Sequence, residues 1–442
     1  MHLRKTAQAS DEPPRHHPDI SLSLRDQACF GCHSRSGRIS LAYEGWHETA
    51  VDESTMKQRD NSHNQFRILA DGRLLERHAA DVHFERGMQC GDCHLASEVM
   101  GDGASHAHKE AAVKIGCVDC HPEQIPPTGT FETLDPETQK IIALRKLNAP
   151  GRRFVLARSG TGAYPNVYVG EAGQLFLTTL REGRVLKPKP ATAACGRDIA
   201  GHRLLECRAC HSAWAPQCVS CHTSYERSGE AWDHLAGRIV TGAWQEKPGE
   251  FLAEPPVLGV EQTNPAGGTN QVRIGTFVPG MIMRLSRGTP GSDPAGDFHR
   301  LYAPVSPHTT VSKVRGCVSC HAKPVALGYG RGKMTYEAKA GVGSWKFEPK
   351  FPANSRDGLP LDAWIGFLQE PKAGSTTRTN SRPLNLQEQQ KILLVGACLQ
   401  CHVEGEEGLK NVFVDFAHYQ KYLSRQCWLP EWAPVRKSGL SP

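Results

Sequence analysis

The order of apolar and polar positions predicts short elements separated by turns. Asp135, followed by Pro136 and Glu137, starts a run of apolar residues at helical spacing that reaches Leu147, and this pattern predicts a helix. Alternating or β-branched segments between glycine-rich turns predict a small antiparallel meander, at residues 154–156, 167–169 and 174–180. Similar segments predict a second group of strands, at residues 238–240, 272–277 and 281–285. A further helix is predicted over residues 386–399.

Composition agrees with a chain rich in turns. The 442 residues include 43 glycines and 30 prolines, which favour turns over long helices. The longest apolar runs are far shorter than the roughly 18 residues that indicate a membrane span. We therefore expect a mostly irregular, short-helical chain that carries one or two small antiparallel β insertions.

The cysteines form a repeated motif. The chain has 16 cysteines, and all except Cys195 and Cys427 belong to seven Cys-x-x-Cys-His motifs. In chain order the cysteines and histidine of each motif are Cys29, Cys32 and His33; Cys90, Cys93 and His94; Cys117, Cys120 and His121; Cys207, Cys210 and His211; Cys218, Cys221 and His222; Cys317, Cys320 and His321; and Cys398, Cys401 and His402.

This spacing is the signature of c-type haem attachment. Two intervening residues let one helical turn present both sulfurs to the two vinyl groups, and the histidine that follows can ligate the iron. The alternatives are disulfides or zinc, and Cys207, Cys210, Cys218 and Cys221 alone could form a four-cysteine zinc site. A histidine after all seven pairs favours haem, because a zinc site would not need it.

With these motifs the chain resembles the multihaem c-type cytochromes. The resemblance implies seven covalently bound haem c groups and a mostly irregular, short-helical fold wrapped around them, with small antiparallel β insertions. Covalent attachment takes place outside the cytoplasm, so we expect a periplasmic or extracellular protein. Residues 1–10 have no apolar stretch typical of a signal peptide, and we expect the signal to lie outside this numbering.

The bound haems also change the charge balance. Each haem adds two propionates and, when ferric, one positive charge, so the formal +6 of the chain falls to roughly −1 in the ferric holoprotein. The basic residues are scattered, and we expect neither nucleic-acid binding nor a transmembrane segment.

Fourteen histidines remain as candidate sixth ligands of the irons. A histidine shortly before a motif resembles a distal ligand, often of a neighbouring haem. Four residues have this placement, namely His83, His108, His202 and His308. Two further candidates are His47 and His418, and the seventh is one of His63, His78, His106, His234 and His299. Methionine is the rival ligand, at Met88, Met100, Met281 or Met283, although packing is favoured for each.

Motif spacing predicts six regions. These are a polar N-terminal segment (1–28), the region of haems one to three (29–134), a helix plus β-meander insertion (135–200), the haem pair four and five (201–235), a β-containing insertion (236–300) and the region of haems six and seven (301–442). The first cysteines of motifs four and five are only 11 residues apart. We therefore expect their two haems to be in near contact.

Three functions are compatible with these motifs. The favoured one is electron transfer between redox partner proteins, on the quinol side or at the outer surface, through seven bis-histidine haems without substrate chemistry. The first alternative is an oxidoreductase for a small nitrogen or sulfur compound with one open haem. All seven motifs keep histidine, which disfavours the lysine-ligated type of such enzymes. In the type that adds a tyrosine cross-link to the haem, Tyr225, Tyr302, Tyr329 or Tyr419 could supply it.

The other alternative is self-assembly. Copies could stack as an extracellular filament in which His16, His17 or His418 ligates a haem of the next subunit. Cys195 and Cys427 could form a disulfide in an oxidising compartment, and two unpaired thiols are the alternative.

Overall fold

The computed structural model describes residues 37–433 except 53, 57–64, 158–161, 192–198, 248, 264–270, 287–295, 405, 420–421 and 425–426. Strand accounts for 33% and helix for 23% of the structure. The expectation of a mostly irregular, short-helical fold is therefore wrong. The long segments between motifs fold into sheets of their own instead of wrapping cofactors as loops. Within the described ranges, no helix is long and apolar enough to cross a membrane.

Most helices are single turns. The α-helices of the described residues are Arg38–Glu44, Val82–Glu85, Cys90–Cys93, Ala96–Val99, Cys117–Cys120, Pro136–Leu144, Cys207–His211, Cys317–His321, Pro324–Leu327, Leu386–Cys398, Glu407–Val414 and Phe416–Tyr419. The 3-10 turns are Lys109–Ala112, Phe131–Thr133 and Ala200–His202.

The described chain divides into two compact units, and the first contains residues 89–120 and 125–188. Its centre is a five-stranded antiparallel meander of Thr128–Gly129, Arg153–Leu156, Ala163–Val169, Leu175–Thr178 and Val185–Leu186, paired in chain order. Helix Pro136–Leu144 begins at the N-cap Asp135, whose side chain accepts a hydrogen bond from the Thr138 amide. Its apolar face packs with Phe154 and Tyr168 of the sheet. The predicted helix and meander are thus both found here.

The second unit contains residues 37–88, 121–124 and 189–433 of the described chain. Its largest sheet has the strands Arg238–Lys247, Cys221–Asp233, Gln271–Ser286, Val257–Thr263 and Ser381–Pro383 in that order, and Asp297–Pro304 also pairs with Gln271–Ser286. The pairing of Cys221–Asp233 with Gln271–Ser286 is parallel. The two strands predicted at 272–277 and 281–285 are one continuous strand.

Three smaller sheets complete the second unit. They are Trp46–Glu48, Leu74–Arg77 and Phe66–Ile68 in that order, the pair Ala215–Val219 with Glu250–Glu254, and the hairpin Gly332–Lys339 with Val342–Pro349. A buried core around Leu327, Tyr329, Trp345 and Leu393 joins this hairpin to helix Leu386–Cys398. That helix begins at Asn385, where the side chains of Asn385 and Glu388 form a capping box.

Candidate haem sites

Five of the seven motifs lie on helical turns. The second, third, fourth and sixth motifs form short helices, and the seventh lies at the C-terminal end of Leu386–Cys398. Residues three apart lie on one face of a helix, so such a turn presents both cysteine sulfurs on the same side. The first motif, Cys29 to His33, lies outside the described residues.

Aspartates inside the second and third motifs cap their own turns. In the second motif, Asp92 accepts hydrogen bonds from the amides of Gln89 at 2.7 Å and Leu180 at 2.6 Å. In the third motif, Asp119 accepts from the amide of Gly116 at 2.7 Å and from the hydroxyl of Tyr164 at 3.1 Å. A carboxylate at the third helical position stabilises the start of a helix, so these motifs partly specify their own conformation.

The fifth motif is different because it lies on strands. Cys218 belongs to the strand Ala215–Val219 and pairs with Phe251, whereas Cys221 begins the next strand. Between the two cysteines, Ser220 has a φ of 64°, in the left-handed region. A cavity of about 300 Å³ opens beside this motif, and it is lined by Ser220, Cys221, His222, Arg284, Phe298, Asn354 and Leu361.

Three motif histidines are oriented by backbone carbonyls. The Nδ1 atom of His121 donates to the carbonyl of Lys189 at 2.7 Å, that of His211 to Val311 at 3.0 Å, and that of His321 to Ile392 at 2.9 Å. A carbonyl can only accept, so the proton of each neutral ring lies on Nδ1. Nε2 then keeps its lone pair for a metal, which is the arrangement typical of metal-bound histidine.

Three other candidate ligands are oriented by carboxylates. Nδ1 of His94 bonds Glu98 at 2.7 Å, and Nδ1 of His402 bonds Glu406 at 3.2 Å. Nδ1 of the predicted distal ligand His83 bonds Asp81 at 2.8 Å. Burial alone would raise the pKa of Asp81, but hydrogen bonds from His83 and Thr310 hold it below its usual value.

Two predicted distal histidines stand opposite motif histidines. The ring centroids of His83 and His121 are 6.1 Å apart, and those of His202 and His321 are also 6.1 Å apart. An imidazole nitrogen bonds a transition metal at about 2.0–2.1 Å, so two rings on opposite sides of one ion have centroids roughly 6 Å apart. The spacing of both pairs is therefore that of two imidazoles on one metal ion. In each pair, the first histidine lies beside a motif histidine other than that of the next motif in the sequence.

His47 is buried but does not stand opposite a motif histidine. Its Nε2 atom has no hydrogen-bond partner, and burial lowers the pKa of His47 to about 4, which keeps the ring neutral. The ring lies 6.2 Å from that of His78, but the Trp214 ring is 5.6 Å from His47 and 5.1 Å from His78. The indole occupies the space that a porphyrin between them would need. His47 and His78 can therefore serve only as ligands of separate groups.

For the remaining candidates, the described residues show no ring contact with a motif histidine. His106 uses Nε2 to bond Asp102 at 3.0 Å, so that nitrogen is unavailable to a metal. His308 is half-buried and bonds the Ser306 carbonyl through Nδ1, and His418 packs beside Tyr419 and Tyr422. His108, His234 and His299 are exposed. His16, His17, His63 and Cys195 lie outside the described residues.

Burial makes several motif thiols harder to ionise. Burial raises the pKa of Cys120 to about 12 and that of Cys221 and Cys398 to about 11, whereas zinc requires thiolates. Among the residues that the structure describes, no group of three His, Cys, Asp or Glu side chains is gathered for a metal ion. Cys427 lies close enough to Cys398 to add to this rise in its pKa.

Comparisons of the chain with protein-family models, curated proteins and solved structures gave no match. The residues that orient the histidines were not foreseen from the sequence. Glu98 and Glu406 did carry a signal, because each follows its motif histidine by four residues. Lys189, Val311 and Ile392 carried none, since any residue has a backbone carbonyl.

Proposed function

We propose that this chain is a multihaem c-type cytochrome that transfers electrons between redox partners through covalently bound, bis-histidine haems. The observation that carries the proposal is the spacing of two histidine pairs, His83 with His121 and His202 with His321, each at 6.1 Å between ring centroids. Each pair combines a histidine of a Cys-x-x-Cys-His motif with one from a distant part of the sequence. Such pairs are what axial ligation of a haem iron requires.

The chain's own residues prepare these sites. Helical turns hold the paired cysteines, and the hydrogen bonds at Nδ1 fix the tautomer and orientation of the ligating rings. When bound, haem supplies a one-electron couple whose potential the protein sets through ligand identity, burial and hydrogen bonding. Two imidazoles at one iron leave no position for a small substrate, which favours electron transfer over substrate chemistry.

The location and partners follow from the cofactor. Covalent haem attachment takes place outside the cytoplasm, so we infer a periplasmic or extracellular protein. Its partners would be quinol-side or outer-surface redox proteins, and further copies of the chain are a possible partner. The motifs, rather than the β-sheets, support this assignment.

A direct test counts the haems. The full chain should be produced with a haem-attachment system in an oxidising compartment, then measured by intact mass under denaturing conditions and by the alkaline pyridine spectrum. We expect a mass increase equal to seven haems that denaturant does not remove. Absence of covalent haem from purified, folded chain would contradict the proposal.

The ligand pairs are tested by His83→Ala and His202→Ala. Each substitution should convert one low-spin haem to high-spin, seen by electron paramagnetic resonance, while all seven covalent attachments remain. His234→Ala is the control, because His234 is exposed in the turn between two strands. If either ligand variant still has seven low-spin haems, the histidine pair that it was designed to break is refuted.

A small-molecule oxidoreductase is the second candidate. The cavity of about 300 Å³ at the fifth motif favours it, because this cavity brings His222 and the cation Arg284 together. A positively charged side chain beside an open haem could hold an oxyanion. Nitrite and sulfite should then perturb the spectrum of the wild type and not of Arg284→Gln. No spectral response to either anion would remove this candidate.

A further inference from the structure

The axial histidines of different motifs donate to partners of different charge. At the fourth and sixth motifs, the Nδ1 partners of His211 and His321 are the neutral carbonyls of Val311 and Ile392. At the second motif, the partner of His94 is the carboxylate of Glu98, and at the third motif the distal His83 bonds Asp81. One ligand at each of the second and third motifs thus has a carboxylate partner, although His121 of the third motif itself bonds the Lys189 carbonyl. The motif histidines of the fourth and sixth motifs have carbonyl partners.

Glu98 is a buried carboxyl group in contact with His94. Its side chain is 1% exposed, and Oε2 lies 2.7 Å from Nδ1 of His94. The other oxygen, Oε1, accepts from the amide of Ile115 at 3.1 Å. The nearby cation Lys114 is directed elsewhere, with its Nζ 3.3 Å from the Ser97 hydroxyl and 3.8 Å from Asp102. The negative charge is therefore shared with the histidine and little with a counterion.

Asp81 is held in the same manner. Its side chain is 3% exposed and accepts from both the amide and Nδ1 of His83, while Oδ2 accepts from the Thr310 amide at 2.6 Å. All three bonds come from neutral donors when the ring is unprotonated. The carboxylate is thus fixed against the ring that we assign to the third motif's iron.

We propose that Glu98 and Asp81 lower the reduction potentials of the haems at the second and third motifs relative to those at the fourth and sixth. This inference rests on the proposed function. Ferric haem carries one more positive charge than ferrous haem, so a buried anion at the ligand stabilises the ferric form. A carboxylate on Nδ1 also makes the imidazole a more basic ligand. Electrons would therefore occupy the fourth and sixth haems before the second and third.

The seventh motif supplies a matched control. Glu406 also follows its motif histidine by four residues, but it bonds His402 at the longer distance of 3.2 Å and its side chain is 48% exposed. Water and salt screen an exposed charge, whereas a buried charge acts in a lower dielectric. Glu406 should therefore shift its haem much less than Glu98 does.

The test is a spectroelectrochemical titration of the purified holoprotein at fixed pH. In Glu98→Gln, one seventh of the haem absorbance change should shift to a higher reduction potential. The expected change is roughly tenfold in the reduction equilibrium of that haem, which corresponds to about 59 mV for one electron. Asp81→Asn should shift a different seventh of the absorbance change, also to higher potential. Glu406→Gln should displace the titration curve by only a small fraction of that shift.

Haem counts and spin states measured on the same samples separate the possible failures. If the wild type lacks seven covalent haems, the proposed function fails. If haem content and low-spin signals are intact but Glu98→Gln and Asp81→Asn shift no more than Glu406→Gln, the inference on potentials is overturned. The two sites lie on separate segments, so the second variant remains informative if the first does not fold.

Discussion

The fifth and sixth motifs have the same five residues and two different structures. Cys218 to His222 and Cys317 to His321 both read Cys-Val-Ser-Cys-His. In the sixth motif these residues form a helical turn, whereas in the fifth they are divided between two strands. The central serines show the difference, because Ser220 has a φ of 64° and Ser319 donates its hydroxyl to the Gly316 carbonyl at 2.6 Å.

The surroundings must therefore decide the conformation. The fifth motif is held by ladder pairing, with Val219 opposite Glu250 and Cys218 opposite Phe251. The sixth is packed against helix Leu386–Cys398, which supplies the Ile392 carbonyl to His321. Tertiary contacts override local preference in short elements. The motif thus specifies the chemistry and leaves the geometry to its neighbours.

The largest expected effect comes from Gly396→Ala, which tests whether the helix imposes the sixth motif's shape. A Cβ at Gly396 would lie 2.0 Å from the His321 carbonyl oxygen, a backbone atom that cannot move aside like a flexible side chain. We expect a loss of more than about 2 kcal/mol in unfolding free energy, because the helix must move away. Urea unfolding followed by circular dichroism measures it.

Gly408→Ala is the matched control for that prediction. Gly408 also lies in a helix, Glu407–Val414, but nothing approaches within 4 Å of the position of a Cβ there. Alanine should leave the stability unchanged or raise it by up to about 1 kcal/mol. Equal behaviour of the two variants would show that contact with this helix is not what shapes the sixth motif.

A smaller effect, with opposite signs, should distinguish the two serines. Ser220→Gly should stabilise the protein by about 0.5–1 kcal/mol, because glycine adopts positive φ without steric cost. Ser319→Gly should destabilise it by about 1 kcal/mol, because glycine is a poor helix former and the bond to Gly316 is lost. If both substitutions shift the urea midpoint in the same direction from the wild type, the fifth motif is helical in the holoprotein.

The smallest effect concerns pH and the helix that supports the sixth motif. Burial alone would raise the pKa of Glu388, but hydrogen bonds from Arg382 and the Asn385 amide hold it below its usual value. Its contribution to stability is present above the unfolded pKa of about 4.3 and is lost as the pH falls through the folded value.

Glu388→Gln measures that contribution. Because Glu388 is partly exposed, the wild type should exceed this variant by less than about 1 kcal/mol at pH 7. The difference should vanish as the pH falls below the folded pKa. A difference that grows towards acid pH would contradict the assigned sign.

The elements with local signals were predictable from the sequence. Asp135 and Pro136 indicated the helix that the structure has at Pro136–Leu144, and the strands 154–156 and 167–169 lie within observed strands. The large sheet was underestimated, because long strands such as Cys221–Asp233 alternate poorly and gain their stability from pairing. This is why the expected fold class was wrong.

The candidate site was predictable in its residue types and not in its pairings. The motifs and the spare histidines are explicit in the sequence, but His83 precedes the second motif and stands opposite the histidine of the third. His202 likewise precedes the fourth motif and stands opposite His321 of the sixth. Such pairings depend on long-range packing, for which a single sequence carries no local signal.

The hydrogen bond from the Thr310 amide to Asp81 has a consequence for the order of assembly. The two residues are 229 positions apart, whereas Glu98 and His94 are only four apart. During synthesis the local pair can form as soon as its own segment has emerged. Asp81 acquires its last donor, and His83 its fixed orientation, only after most of the chain has emerged. On the proposed function, the third motif would therefore bind haem through its cysteines well before its sixth ligand is in place.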